Sequence, residues 1–408
     1  MLRNIRDFAS KHRAKLIGAL VVGIGGVAWY MLSSEDNANG RPLAVRSGAE
    51  EGEAKGESRS RKRARILVMV RRQYNSYAMH FLPTLKLKIN EVVDVNNAVS
   101  KIKEIRSNNG KNSDDSVDIE AKLWNEIKVS SITILFVTVY MESIVCTLLR
   151  ILLHVVAAYT SERESNGELK DISEIDVDVL EKLISATYSK IYDAGLKNVT
   201  QLVRQGVTKE TEDWVVREKM DVRYDEFIAK LCTLRTTFEQ DIQGFVNVLA
   251  ISPENNDPEL LATNTDVKPA GGGKVSGNGS ESPAKKAGGK ERSEEIVNEL
   301  MCRTWDIVDS HVFQSIFNEA VSSAFKHVNQ SLRDDVFSAE SPVTGGGTQR
   351  YTNYRTPPLA SLLPQMKSIA ARMLPDIHKE LTAEAKAIAD GPILNALCEA
   401  ILDETCAL

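Results

Sequence analysis

From Ile66 onward, runs of thirty or more residues pass without Gly or Pro, and apolar positions within them recur three and four residues apart. That spacing predicts helices near 66–106 (interrupted at Pro83), 118–160, 174–206, 209–250, 294–338 and 358–405, the last with breaks near Pro375 and Pro392. No stretch of apolar–polar alternation bounded by turn dipeptides argues for a strand. The expected fold class is all-α, a bundle of about six long antiparallel helices.

Three polar stretches punctuate this pattern. Residues 34–65 are rich in Gly, Ser and charge and read as a spacer, continuing as a charged helix near Arg59. Their end, "SRSRKRAR", fits a solvated segment beside a membrane; a nuclear signal or a lipid-headgroup patch uses the same residue types. Residues 252–294 form a low-complexity insert expected to be disordered, and 338–358 a shorter loop of the same character. Both fall between helical patterns, so 66–408 reads as one helical body.

The N-terminus differs. Arg3, Arg6, Lys11, Arg13 and Lys15 precede Leu16–Leu32, seventeen residues without a charge. A helix of that length spans about 25 Å, enough for a bilayer core when flanking residues snorkel. The run exceeds a signal-peptide core, and it ends in Trp29 and Tyr30, residues suited to a membrane interface. Residues 1–33 therefore read as a retained anchor in contact with membrane lipid, with a mitochondrial-type targeting sequence as the competing reading. Val129–Tyr159 is nearly as apolar but contains Glu142, Arg150 and His154. Each of the first two costs about 2.5–3.5 kcal/mol at a bilayer centre. The central helix of a bundle is the simpler account, with Glu142 and Arg150 expected to find hydrogen-bonding partners on neighbouring helices.

Composition narrows the function classes. Hydrophobic residues make up 42% and charged residues 26%, with a net charge of −5, which gives no reason to expect nucleic-acid binding. Cys146, Cys232, Cys302, Cys398 and Cys406 are dispersed without C-x-x-C spacing, as in a reducing compartment. "KPAGGGKVS" fails the phosphate-loop pattern at Lys268 and Val275. The six histidines form no close ligand pair, there is no G-x-S-x-G elbow, and "TCAL" lacks the prenylation cysteine. No enzyme, metal, cofactor or small-molecule substrate is expected.

One stretch invites a binding role. In "AKLWNEIKVSS", Trp124, Ile127, Lys128 and Ser131 fall at i, i+3, i+4 and i+7, with Leu123 on an adjoining edge. Asp114, Asp115, Asp118 and Glu120 mark the helix start. A large aromatic beside an aliphatic and a cation suits helix-in-groove recognition, the lysine meeting an acidic partner. Trp124 covering the end of the bundle core is the other reading.

Several blocks resemble the peroxisomal biogenesis factor 3 (peroxin-3) family. These are "MLRNIRDFASKHRAK" with the short anchor after it, "RRQYNSYAMHFLPTL" (71–85), "LWNEIKVSSIT" (123–133), "LLRILLHVVAAY" (148–159), "TWDIVDSHVFQSIFNEAVSSAF" (304–325) and "PPLASLLPQM" (357–366). The resemblance spans nearly the whole chain and is patchy between about 165 and 295. It implies a single-pass protein of the peroxisomal membrane whose twisted helical bundle faces the cytosol. It implies docking of peroxin-19, a chaperone and import receptor for peroxisomal membrane proteins, through an amphipathic helix seated in an apolar groove. The family's groove tryptophan falls on Trp124, with Ile127, Lys128, Leu123 and Ile105 around it. Where the family often has a groove lysine, this chain has Ser361. On orientation, the basic N-terminus alone points to the cytosol, whereas the resemblance places it in the matrix. A membrane-anchored helical tether or scaffold on another organelle, such as mitochondria, is the alternative function.

Overall fold

A computed structural model describes the backbone of residues 51–108, 114–165, 177–216, 221–239, 284–338, 354–377 and 379–406. The expected anchor and most of the expected 252–294 insert lie outside them. Among the described residues there are helices and two isolated bridges, Asp221 with Pro358 and Ser338 with Tyr354, and no strand.

In chain order the helices are α1 (Glu51–Val92), α2 (Val95–Asn108), α3 (Asp114–Ser165), α4 (Val177–Lys190), α5 (Leu196–Glu210), α6 (Tyr224–Glu239), α7 (Ala284–Val308), α8 (His311–Ser331), α9 (Leu359–Met373), α10 (Ala383–Ala389) and α11 (Pro392–Cys406). A π-helical turn, Ile191–Gly195, joins α4 to α5, and another, Leu332–Phe337, extends α8.

The bundle is organised around α3. At 1.5 Å per residue its 52 residues run roughly 80 Å. Helices α1, α2, α5, α7, α8, α9, α10 and α11 all pack on it. Every residue from Ile127 to Tyr159 is buried. By length and composition this is the one described helix able to cross a membrane, yet its apolar window lies entirely inside the protein. A hydrophobic run surrounded by other helices needs no lipid, so α3 is the core helix. Phe136 joins three elements there, its ring centroid 5.5 Å from Phe238 on α6 and 5.1 Å from Phe325 on α8.

The element boundaries depart from expectation at several places, most of them for a local reason. Helix α1 continues through Pro83, despite a cost of about 3 kcal/mol for an interior proline. Leu82 and Leu85 on either side are fully buried, and Tyr192 donates a 2.9 Å hydrogen bond to the Phe81 carbonyl beside the interruption. The chain breaks instead at Val93–Asp94, where Asp94 Oδ1 accepts from Asn97 N and caps α2. Ser310 caps α8 in the same way, accepting from Phe313 N and splitting the predicted 294–338 helix. The predicted 209–250 helix is a loop over 211–216 and a shorter helix, α6. Gly206 is helical, not a breaker: a Cβ there would collide with the Phe238 ring, so glycine lets α5 and α6 approach. Breaks after Met373 and before Pro392 agree with the proline pattern, and Pro392 opens α11, where its missing N–H is not needed. Helix α7 begins at Ala284, within the low-complexity stretch.

The buried polar residues of α3 are only partly matched. Arg150 reaches Asn395 on α11, as expected. Glu142 is matched less well: neither carboxyl oxygen has a close hydrogen-bond partner, and only the Thr382 hydroxyl at the start of α10 favours its charged form. Burial, and then nearby Glu384, push its pKa well above the ordinary carboxylate range, with the Thr382 hydroxyl pulling the other way. Burial thus favours the neutral acid over the carboxylate at Glu142, the form with the smaller desolvation cost.

Candidate functional site

The five residues singled out around Trp124 separate into two groups. Ile127 is 5% exposed and Lys128 only 1%. Ser131 is buried as well, so the face carrying i+3, i+4 and i+7 points into the bundle. Trp124, one turn earlier, sits where that face runs out of core. It is half-buried and packed against the core, as is Leu123, and Ile105 on α2 is also half-buried.

Lys128 does not present its charge to an outside partner. Its ammonium donates to the Thr211 carbonyl at 2.6 Å and the Trp214 carbonyl at 2.7 Å. These belong to the turn that follows α5, where carbonyls have no intrahelical partner. A cation on orphan carbonyls at a helix C-terminus is favourable both as hydrogen bonding and against the helix dipole. Burial lowers the Lys128 pKa, and Asp213 and Glu212 oppose that shift. Lys128 therefore fixes where α5 stops and holds the 211–216 loop onto α3. The same loop places Trp214 in a stack on Phe227, centroids 5.6 Å apart.

Trp124 is held from the other side. Its indole N–H donates to Glu120 Oε1 at 3.2 Å, one turn back on α3. Arg106, in the last turn of α2, donates to the same oxygen from Nε at 3.0 Å and Nη2 at 2.6 Å. The guanidinium carbon stands 5.8 Å from the Trp124 ring centroid, within cation–π range. Hydrogen bonding from Arg106 keeps the Glu120 carboxyl below its ordinary pKa, burial opposing. Arg106, Glu120 and Trp124 thus form a latch across the α2–α3 hairpin. On the far side, Glu126 pairs with Arg204 of α5 at 3.7 Å.

The latch residues Arg106 and Glu120 were not among the predicted site residues. Their signal was present: Glu120 lies four residues before Trp124, and Arg106 closes the preceding helical pattern. Ser361, on the first turn of α9, is exposed and spends its hydroxyl on the Pro358 carbonyl at 2.8 Å. Among the described residues no three His, Cys, Asp or Glu side chains are placed to hold a metal ion.

The described residues thus form a helical bundle on a single buried axis, with a half-exposed aromatic edge where that axis emerges. A family model described as Peroxin-3 matches residues 191–401, just over half of the 408-residue chain. The chain belongs to the Peroxin-3 family, whose members are peroxisome biogenesis factors of the peroxisomal membrane rather than enzymes. The matched span runs from the turn before α5 into α11, so it contains the loop that Lys128 holds but begins after Trp124. No curated protein gives a significant match.

Proposed function

We propose that this chain is the membrane docking receptor for peroxin-19, and that the edge formed by Trp124, Leu123 and Ile105 receives an amphipathic helix of that chaperone. The observation that carries this reading is the latch: a half-buried tryptophan, one turn before the core begins at Ile127, is fixed by Arg106 and Glu120. Large aromatics held rigid at the rim of a core are the residues that dominate helix-in-groove affinity. Ile127 and Lys128 serve the same edge from behind, by packing and by seating the 211–216 loop. With Ser361 on the neighbouring helix, the charged contact common in the family is absent, so apolar burial carries more of the affinity. Residues 16–32 anchor the chain once in the peroxisomal membrane, the bundle faces the cytosol, and docking delivers new membrane proteins for insertion.

Capture of the full chain on immobilised peroxin-19 tests the reading. Trp124→Ala is expected to abolish capture while circular dichroism stays unchanged; undiminished capture would remove the edge from the interface. Imaging a fusion of residues 1–35 tests the membrane: a peroxisomal pattern is expected, and a mitochondrial one would favour a tether elsewhere.

A further inference from the structure

Roughly 40 Å along α3 from Trp124, a second feature stands outside the docking reading. A cleft of about 250 Å³ opens between α1, α3 and α11. Arg150 lines it, only 7% exposed. Its Nη2 makes a long hydrogen bond, 3.3 Å to Asn395 Oδ1, the neutral Cys398 thiol lies beside the guanidinium, and its Nε meets no partner. No described carboxylate forms an ion pair with it. Asp390 and Glu399 stand at the rim, but Asp390 is paired with Arg71 at 3.1 Å and Glu399 with Arg63 at 3.2 Å. A guanidinium buried without a counter-ion is strongly unfavourable, and one bound oxyanion removes the penalty.

We propose that this cleft binds a small organic monocarboxylate, its carboxylate on Arg150 and its hydrocarbon part against Leu67 and Val68. One anionic charge matches the single unpaired cation. A doubly charged phosphate exceeds it and faces the two rim carboxylates. Val68 is 49% exposed at the mouth, an apolar surface that a short alkyl chain would cover. His154 sits fully buried beside Arg150, and its Nδ1 contacts the Arg150 carbonyl at 2.8 Å. A carbonyl only accepts, so Nδ1 carries the proton, and with Arg71 paired to Asp390 the Arg150 guanidinium is the cation of the cleft without a carboxylate partner. Burial and then Arg150 hold the His154 pKa down at about 3, consistent with that tautomer. The first turn of α11, which supplies Asn395, adds the favourable end of a helix dipole.

The test is thermal unfolding of the full chain in detergent with hexanoate as probe, and hexan-1-ol, hexylamine and inorganic phosphate as parallel arms. Hexanoate is expected to raise the melting temperature saturably, and the other three to leave it unchanged. Arg150→Met, which keeps the stem and removes the charge, is expected to weaken the apparent affinity about ten- to a hundredfold. Val68→Glu, a surface change that leaves the core intact, is expected to weaken it through repulsion. No saturable shift with hexanoate, an equal shift with hexan-1-ol, a shift with phosphate, or a hexanoate response indifferent to both substitutions would each overturn the assignment.

Discussion

Two stretches of the same helix behave differently. Over Asp118–Glu126, α3 alternates between exposed and half-buried positions, as a surface helix does. From Ile127 through Tyr159 every position is buried, Lys128, Glu142 and His154 included. The first stretch is fixed by polar contacts at its rim, the Arg106–Glu120–Trp124 latch. The second is fixed by packing: burial favours the neutral forms of Glu142 and His154, and Lys128 caps a chain turn rather than pairing with an opposite charge. The docking proposal uses the border, where an aromatic is held but still half open, and the interior supplies the packing behind it.

Substitutions can break that contrast, beginning with the largest effect. Leu149→Ala removes a fully buried side chain from the middle of α3 and is expected to cost about 2–5 kcal/mol in chemical denaturation. Partner affinity per folded molecule should stay unchanged. Lys128→Met removes the ammonium from the Thr211 and Trp214 carbonyls, leaving Thr211 only its bond from the Trp214 N–H, and is expected to cost about 1–3 kcal/mol. Hydrogen exchange should show the 211–216 loop opening first. Trp124→Ala removes only half-buried area, about 1–2 kcal/mol, while eliminating partner binding.

Acid and base sharpen the interior half of the contrast. The folded pKa of Glu142 is raised, so the folded state holds a proton that the unfolded state releases above its ordinary carboxylate pKa. Stability falls as pH rises through that window. Glu142→Gln should therefore stabilise the protein at pH 8 more than at pH 4, measured by denaturant titration at both. His154 has the opposite sign. Its folded pKa near 3 lies below the ordinary histidine value, so stability is lost as pH falls from about 6.5 toward 3. His154→Gln should flatten that acid limb and leave pH 8 stability nearly unchanged.

Much of this was legible in the amino-acid order. Three- and four-residue periodicity located the helices, and the charges within Val129–Tyr159 marked that run as core rather than a second span. The breaks were less legible. Pro83 looked like an interruption because proline is penalised locally, but tertiary burial on both sides outweighed the penalty. Asp94 and Ser310 were readable as caps, yet strong apolar periodicity on both sides masked them. Lys128 could not be read at all from spacing. Its role depends on a carbonyl cluster more than eighty residues away, a contact that only the folded chain creates. Trp124 and Leu123 fell where periodicity put them, at the end of the core, and the latch that orders Trp124 needed α2 to be placed beside α3.

The most direct measurement is a calorimetric titration of the amphipathic N-terminal helix of peroxin-19 into the full chain, comparing wild type, Trp124→Ala and Trp305→Ala. Trp305 is another half-buried tryptophan, on α7, and controls for loss of aromatic area alone. The docking reading predicts that Trp124→Ala weakens binding by at least about a hundredfold while Trp305→Ala binds as wild type does. Wild-type affinity in Trp124→Ala would contradict it.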